Sequence, residues 1–219
     1  MEFGKALVPE PVAFVDVDET LVRDITFLSL FSFDARRRDI DPATTLREFW
    51  ALRATGTSRA ESHRWFYRHW SGREVREVEA VGRDWFAEQA MTADFRNAPV
   101  WQRLTGMAAR GTRIVLVSGS FDAALKPIAE RIGADAVLCT RLAVSGGRYT
   151  GEVSETMVGT EKARAITYYA DQEGIELSAC AAFGDHHSDA AMFDLVGYPV
   201  IVGDNDPDLR GYPAERLPG

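Results

Sequence analysis

Read as a pattern of apolar and polar positions, the chain opens its first clear element at Val12-Ala13-Phe14-Val15-Asp16-Val17. This short run, rich in β-branched residues and preceded by Pro11, suits a buried central strand that ends in acids. From about Thr26 to Phe95 the spacing becomes helical. Segments 26–38, 42–54, 58–70 and 73–91 carry good helix formers, with breaks at Asp41-Pro42, Gly56 and Ser71-Gly72 and no strand pattern between them. After Pro99 the two periods alternate. Residues 99–110 read as a helix ending at Gly111, 113–117 as a strand, 121–132 as a helix stopping at Gly133, and 136–139 as a strand. Residues 141–153 read as a hairpin turning at Ser145-Gly146-Gly147. A helix over 160–173, a strand over 179–183, a helix over 188–195 and a strand over 200–202 complete the series.

This order predicts an α/β fold: a Rossmann-like parallel sheet with helices on both faces, and a small all-helical unit inserted after the first strand. The 219 residues fit one sizeable core plus such an insert, and not two full enzyme domains. Ligands in sheets of this kind bind beyond the carboxyl ends of the strands. The polar residues just past the strands should therefore converge: Asp16 and Asp18, Ser118 and Ser120, Asp185 and Asp189.

Composition narrows the choice of partner. A hydrophobic share of 46% and a charged share of 26% are ordinary for a globular chain, and no low-complexity tract is present. The net charge of -8 speaks against a general nucleic-acid binder, because phosphate backbones attract basic surfaces. A small phosphorylated substrate stays open, since one Lys, a metal ion and a few backbone N–H groups can reverse the potential locally. Met1 to Pro11 has neither a basic start nor a long apolar run, and no later segment approaches a membrane span. No membrane partner is expected, and a cytoplasmic location is the default. Cys139 and Cys180, both in apolar stretches, are expected as buried reduced thiols.

The candidate chemistry lies in four short segments. In Asp16-Val17-Asp18-Glu19-Thr20, two acids one residue apart can point to the same side of an extended segment, one to attack and one to handle protons; they also read as solvated loop acids. In Gly184-Asp185-His186-His187-Ser188-Asp189, the two acids are four apart and would share a helical face. With Asp16 they supply the carboxylate oxygens that a hard cation such as Mg²⁺ takes, although Asp at a helix start is stabilising in its own right. Ser118-Gly119-Ser120 joins a strand to a helix, as a phosphate cradle or an ordinary cap would. Lys162 stands near a helix N-terminus, where the dipole gives a cation nothing; an oxyanion nearby would make the placement sensible, and a surface Lys is the plain alternative.

Taken together and in this order, these segments resemble the four motifs of the haloacid dehalogenase (HAD) superfamily. Asp16-Val17-Asp18-Glu19-Thr20 matches the first, Ser118 the second, Lys162 the third, and Gly184-Asp185 through Asp189 the fourth. The helical block falls where this superfamily places a type 1 cap, and Val115 to Ala124, the turn 145–151 and the Lys162 helix resemble the phosphoserine phosphatase-like branch.

The resemblance implies a core of 1–26 and 96–219 with a cap over 27–95. It also implies a Mg²⁺-dependent phosphatase acting on a small phosphorylated metabolite through an aspartyl-phosphate. Asp16 would be the nucleophile and Asp18 the acid–base group. Mg²⁺ would be held by Asp16, the Asp18 backbone carbonyl and Asp185. Ser118, Gly119 and Lys162 would bind phosphate, with Asp189 behind them steadying the metal shell or Lys162.

Glu19 stands where that family often has Gly, and the place where phosphoserine phosphatases carry an amine-reading acid is apolar here, which argues against phosphoserine. Arg64, Arg68 and His186 are candidates to touch substrate. His63, Phe66, Tyr67 and Trp70 share a different face of their helix from Arg64 and Arg68, expected to pack in the bundle. A phosphotransferase of the same fold and a non-catalytic binding protein are the alternatives.

Overall fold

Val12–Val15 (β1) is buried along its whole length because it runs through the middle of a seven-stranded sheet. The structure is a computed structural model that describes residues 11–92 and 94–219; the stretch before Pro11, where no leader is expected, lies outside the described residues. β1 pairs in parallel with β2 (Arg113–Phe121) on one side and β5 (Ala181–Gly184) on the other. The sheet order is β4-β3-β2-β1-β5-β6-β7, with β3 at Ala136–Ser145, β4 at Arg148–Glu155, β6 at Tyr198–Val202 and β7 at Glu215–Leu217. The chain builds outward from β1 to both sides, so the crevice beyond the carboxyl end of β1 is a topological switch point.

Side chains alternate across the sheet and feed two cores. Ala13 and Val15 pack with Ile114 and Leu116 under α5 (Ala98–Ala108) and α6 (Asp122–Ile132). Val12 and Phe14 pack with Val115 and Val117 under α7 (Thr160–Glu173) and α8 (Ala190–Phe193). Cys139 and Cys180 are both buried and free, as expected.

Several expected elements need correction. Strand 136–139 and the first arm of the hairpin are one continuous β3, which pairs parallel to β2 and then antiparallel to β4. Ala179 and Cys180 are not strand; a 3-10 turn, Leu177–Ala179, precedes β5. The helix over 188–195 is a 3-10 turn, His187–Asp189, leading into the short α8. β7 was not foreseen, since Glu215-Arg216-Leu217 lacks an alternating pattern and sits at the sheet edge.

The inserted block contains α1 (Thr26–Arg37), α2 (Ala43–Ala54), α3 (Arg59–Tyr67) with a 3-10 turn at Arg68–Trp70, and α4 (Val75–Gln89). α3 begins where it does because Ser58 and Glu61 form a reciprocal capping box. Phe27, Phe31, Phe49, Phe66, Tyr67 and Trp70 form its aromatic interior, and Tyr67 and Trp70 carry that packing onto Phe121 of the core at centroid distances of 5.4 and 5.5 Å.

Two further contacts tie the block down. α4 lies on α6 so closely that a β-carbon on Gly82 would stand 1.9 Å from the Ala123 carbonyl oxygen. The α3–α4 connection is hydrogen-bonded to the β3–β4 hairpin: Gly72 N–H to the Tyr149 carbonyl, Tyr149 N–H to the Arg73 carbonyl, and Val75 N–H to the Gly147 carbonyl. Among the described residues, no helix is long and apolar enough to cross a membrane.

Candidate active site

The carboxyl end of β1 delivers Asp16 into the crevice, its N–H still held by the Phe183 carbonyl at 2.9 Å. Lys162, on the first turn of α7, is 4% exposed rather than solvated. Its Nζ donates to Asp16 Oδ1 and to Asp189 Oδ1, each at 2.6 Å. Asp185 stands just past β5 and accepts the Thr20 hydroxyl at 2.9 Å; the same hydroxyl reaches Asp16 Oδ2 at 3.3 Å. One oxygen each from Asp16, Asp185 and Asp189 lies within 4.8 Å of the others. A turn, not a shared helical face, brings Asp185 and Asp189 together: Asp189 folds back so tightly that a β-carbon on Gly184 would lie 2.7 Å from its Oδ2.

Asp18 is held by the start of α1. Its Oδ1 accepts from the Thr26 N–H at 2.8 Å and from the Thr26 hydroxyl at 2.6 Å, at the N-terminus of α1. That hydroxyl shares a second hydrogen bond, 2.7 Å, with Ser120 Oγ. Between Asp16 and Asp18 on one side and α1 on the other, Glu19 adopts φ 60°, a left-handed backbone that Gly takes without strain and Glu does not.

Ser118-Gly119-Ser120 is not a helix start. It is the bulged end of β2, where the register to β3 slips, and α6 begins only at Asp122. Buried Ser118 Oγ accepts the Ser120 N–H at 3.0 Å. The Gly119 carbonyl accepts the Tyr67 hydroxyl at 2.8 Å, and a β-carbon there would meet His63 Cε1 and Val158 Cγ1, each at 2.9 Å. Any larger residue would push the inserted block off this loop.

The charge balance is lopsided: four acids, Asp16, Asp18, Asp185 and Asp189, gather near one ammonium, which Asp16 and Asp189 contact. Burial raises Asp16 above its ordinary carboxylate value, with Lys162 pulling the other way. Burial first, and then the Asp16 charge, push Asp18 up to about 7 and Asp185 up to about 8. Burial would lower Lys162, but Asp16 and Asp189 outweigh it and hold the ammonium above its usual value. Surplus buried negative charge on hard oxygen donors is the environment a divalent cation such as Mg²⁺ fits.

Next to this cluster, where Glu19 and His186 follow Asp18 and Asp185, lies a cavity of about 140 Å³, walled by Arg53, Arg59 and His63 of the inserted block and by Glu19, Ile25 and His186. Arg59 Nη1 donates to His186 Nδ1 at 3.1 Å and to Ser188 Oγ at 3.0 Å, bridging block and core. Burial, then the Arg59 charge, lowers His186 to about 4, so it meets Arg59 as a neutral ring. His187 turns outward to Asp206, 2.9 Å away.

Arg64 and Arg68, expected as substrate contacts, are exposed on α3 and the turn after it. The reason is angular: Arg59 starts the helix at the cavity, and five and nine residues on, the side chains have rotated by roughly 140° and 180°. Sequence reasoning missed Arg53, Arg59, Thr20 and Thr26. The Ser58-x-x-Glu61 signature was the available signal, since it fixes Arg59 at the first turn of its helix.

The family described as haloacid dehalogenase-like hydrolase has a model that matches residues 13–194. The chain belongs to this family. Among curated relatives, a probable phosphatase of Mycobacterium tuberculosis is 36% identical over 108 residues, covering 47% of this chain and 38% of that protein. Phosphoserine phosphatase SerB1 of Mycobacterium tuberculosis is 33% identical over 150 residues, covering 66% of this chain and 46% of its own. The chain thus spans less than half the length of these two relatives. Among solved structures, a protein of unknown function from Bordetella pertussis superposes with a TM-score of 0.83 at 19% identity, covering 94% of this chain and 97% of that one. A substrate-bound phosphoserine phosphatase superposes with a TM-score of 0.70 at 22% identity, covering 95% and 92%. Both share the fold of this HAD chain.

Proposed function

We propose that this HAD protein is a Mg²⁺-dependent phosphatase that hydrolyses a small phosphate monoester through an aspartyl-phosphate on Asp16. The observation that carries the reading is the buried contact of Lys162 with Asp16, set among Asp185 and Asp189 at the switch point of the sheet. Relatives named phosphatase and phosphoserine phosphatase support it.

An oxygen of Asp16 attacks phosphorus as the ester P–O bond breaks, and the leaving oxygen takes a proton from Asp18. Asp18, now a carboxylate, removes a proton from water; that water attacks phosphorus, the acyl-phosphate P–O bond breaks, and inorganic phosphate leaves with Asp16 restored. The Thr26 hydrogen bonds hold Asp18 for both proton transfers. Its position near 7, set by burial and by Asp16, suits a group that must give and take a proton near neutrality. Lys162 balances the carboxylate that must approach an anion, and the Ser118 hydroxyl with the Gly119 N–H orients the phosphoryl oxygens.

Mg²⁺ held by Asp16, the Asp18 carbonyl and Asp185 would supply the remaining positive charge as a Lewis acid. Residues 27–95 act as the cap that shields the reaction over a core of 1–26 and 96–219.

Hydrolysis of an aryl phosphate tests the proposal. Activity is expected with Mg²⁺, lost on chelation, and lost in Asp16→Asn with the fold intact by circular dichroism. Near-normal turnover by that variant would overturn it.

A further inference from the structure

Arg53 and Arg59 wall the same cavity, one from the last turn of α2 and the other from the first residue of α3. Of the three part-buried guanidiniums in the cap, Arg73 is matched to acids, Asp34 and Glu77. The cavity pair is not. Arg53 Nη1 donates to the Thr57 carbonyl at 2.9 Å, and Arg59 Nη1 is spent on a ring nitrogen of His186 and the Ser188 hydroxyl. Among the described residues neither forms an ion pair with a carboxylate. Partial burial, then repulsion from Arg59, lowers the basicity of Arg53, with no acid acting the other way. Two neighbouring cations are therefore held half-buried with no ion-pair partner among the described residues, although the Arg59 charge reaches Asp16 and Asp18.

The rest of the wall is apolar or neutral. Ile25, Phe27, Phe49 and Trp50 line it. His63 is 5% exposed, held down to about 3 chiefly by burial, and its Nδ1 has no hydrogen-bond partner among the described residues. Among the described residues, the one carboxylate in the wall is Glu19, an exposed residue of the core rim whose charge bears on Asp185. The volume of about 140 Å³ matches a cavity that takes a benzene-sized body, about 150 Å³.

Resting on the phosphatase reading, we infer that the substrate is a phosphate monoester with a short apolar leaving group that carries a second anionic group, carboxylate or phosphate, and no ammonium. The phosphoryl end meets Asp16 and Lys162. The second anion supplies the charge that Arg53 and Arg59 lack, in bidentate geometry that guanidinium favours. The apolar body covers the aromatic wall. An ammonium would enter beside two uncompensated cations and is disfavoured there.

The test compares kcat/KM of the Mg²⁺-loaded protein on four esters of one three-carbon skeleton: phosphoserine, 3-(phosphonooxy)propanoate, propane-1,3-diol bisphosphate and propyl phosphate. At least one of the two esters with a second anion and no ammonium is expected to exceed both propyl phosphate and phosphoserine by about tenfold or more. The better of the two identifies the second anion as carboxylate or phosphate. In Arg53→Gln and Arg59→Gln the advantage over propyl phosphate should shrink to about threefold or less in at least one variant. Being a ratio within one preparation, it is insensitive to a partly unfolded sample, and Arg53→Lys should keep an intermediate ratio.

Preference for phosphoserine, equal turnover of propyl phosphate, or a ratio unmoved in both Gln variants overturns the inference. So does hydrolysis of an aryl phosphate with none of the four accepted, which leaves the phosphatase reading standing. If nothing is hydrolysed at all, both fall.

Discussion

Lys162 Nζ lies 2.6 Å from Asp16 Oδ1 across 146 positions of sequence, with both side chains less than a tenth exposed. Asp189 takes the same ammonium at the same distance, so one cation is shared by two buried acids that arrive from different strands.

Lys162→Met leaves both of those acids buried and unpaired. Breaking a buried ion pair by removing one partner costs about 3–5 kcal/mol. Urea denaturation of the metal-free protein should register a loss of that order, whereas Asp16→Asn, which relieves crowding among the acids, should lose far less. Equal stability of Lys162→Met and the parent would mean that the contact is not formed in solution.

Thr26 is the support behind Asp18. Thr26→Val removes the hydroxyl that joins Asp18 to Ser120 while keeping the backbone N–H and the side-chain volume. A misplaced proton donor slows the chemical step by up to about a hundredfold. The expected signature is a fall in kcat with little change in KM, and recovery in Thr26→Ser. A change confined to KM would assign Thr26 to substrate binding instead.

His63 ties acid stability to the inserted helical block. Its folded value of about 3, lowered first by burial and then by Arg59, lies below the unfolded value of about 6.5. The unfolded chain takes the proton first, so the contribution is complete above about pH 6.5 and is lost progressively as pH falls toward 3. The slope due to this residue is about 1.4 kcal/mol per pH unit. His63→Leu should flatten the stability profile between pH 6 and 4 by about one proton; a profile parallel to the parent's would refute the account.

Two glycines give opposite outcomes. Gly82→Ala must force α4 from α6, because the new carbon would stand 1.9 Å from a backbone carbonyl, and overpacking of this kind costs about 1–3 kcal/mol. Gly106, inside α5, offers ordinary space, its nearest neighbour being Arg110 Nη1 at 3.5 Å. Gly106→Ala should stabilise by about 0.5–1 kcal/mol through helix propensity. Thermal melts of the pair check the sign of both.

The sheet and its helices were legible because a buried strand is a run of apolar residues and an amphipathic helix has its own period. Val12–Val15 and the helix from Thr160 show each rule in turn. The acids at strand ends were legible for the same reason: once β1, β2 and β5 are known to be parallel neighbours, the residues at their carboxyl ends must meet. Arg59 was not, because its importance depends on where the first turn of α3 docks, and nothing local distinguishes it from Arg64 or Arg68. Thr26 was hidden in another way: a hydroxyl at a helix start reads as a cap, and only the fold shows that it grips Asp18. Edge strand β7 has too few contacts to impose a pattern on its three residues.

The glycine-thin seam between α4 and α6, with the backbone ladder from Gly72 to Val75, leaves the rear half of the cap no freedom to travel. The cavity wall comes from elsewhere: α2 supplies Phe49, Trp50 and Arg53, and α3, itself held to the core through Arg59 and Tyr67, supplies Arg59 and His63. Anchorage through α4 and the wall that α2 builds are therefore written into separate stretches of the chain. The doorway around Trp50 and Arg53 can be remodelled for a new guest without disturbing the wall to which it is hung.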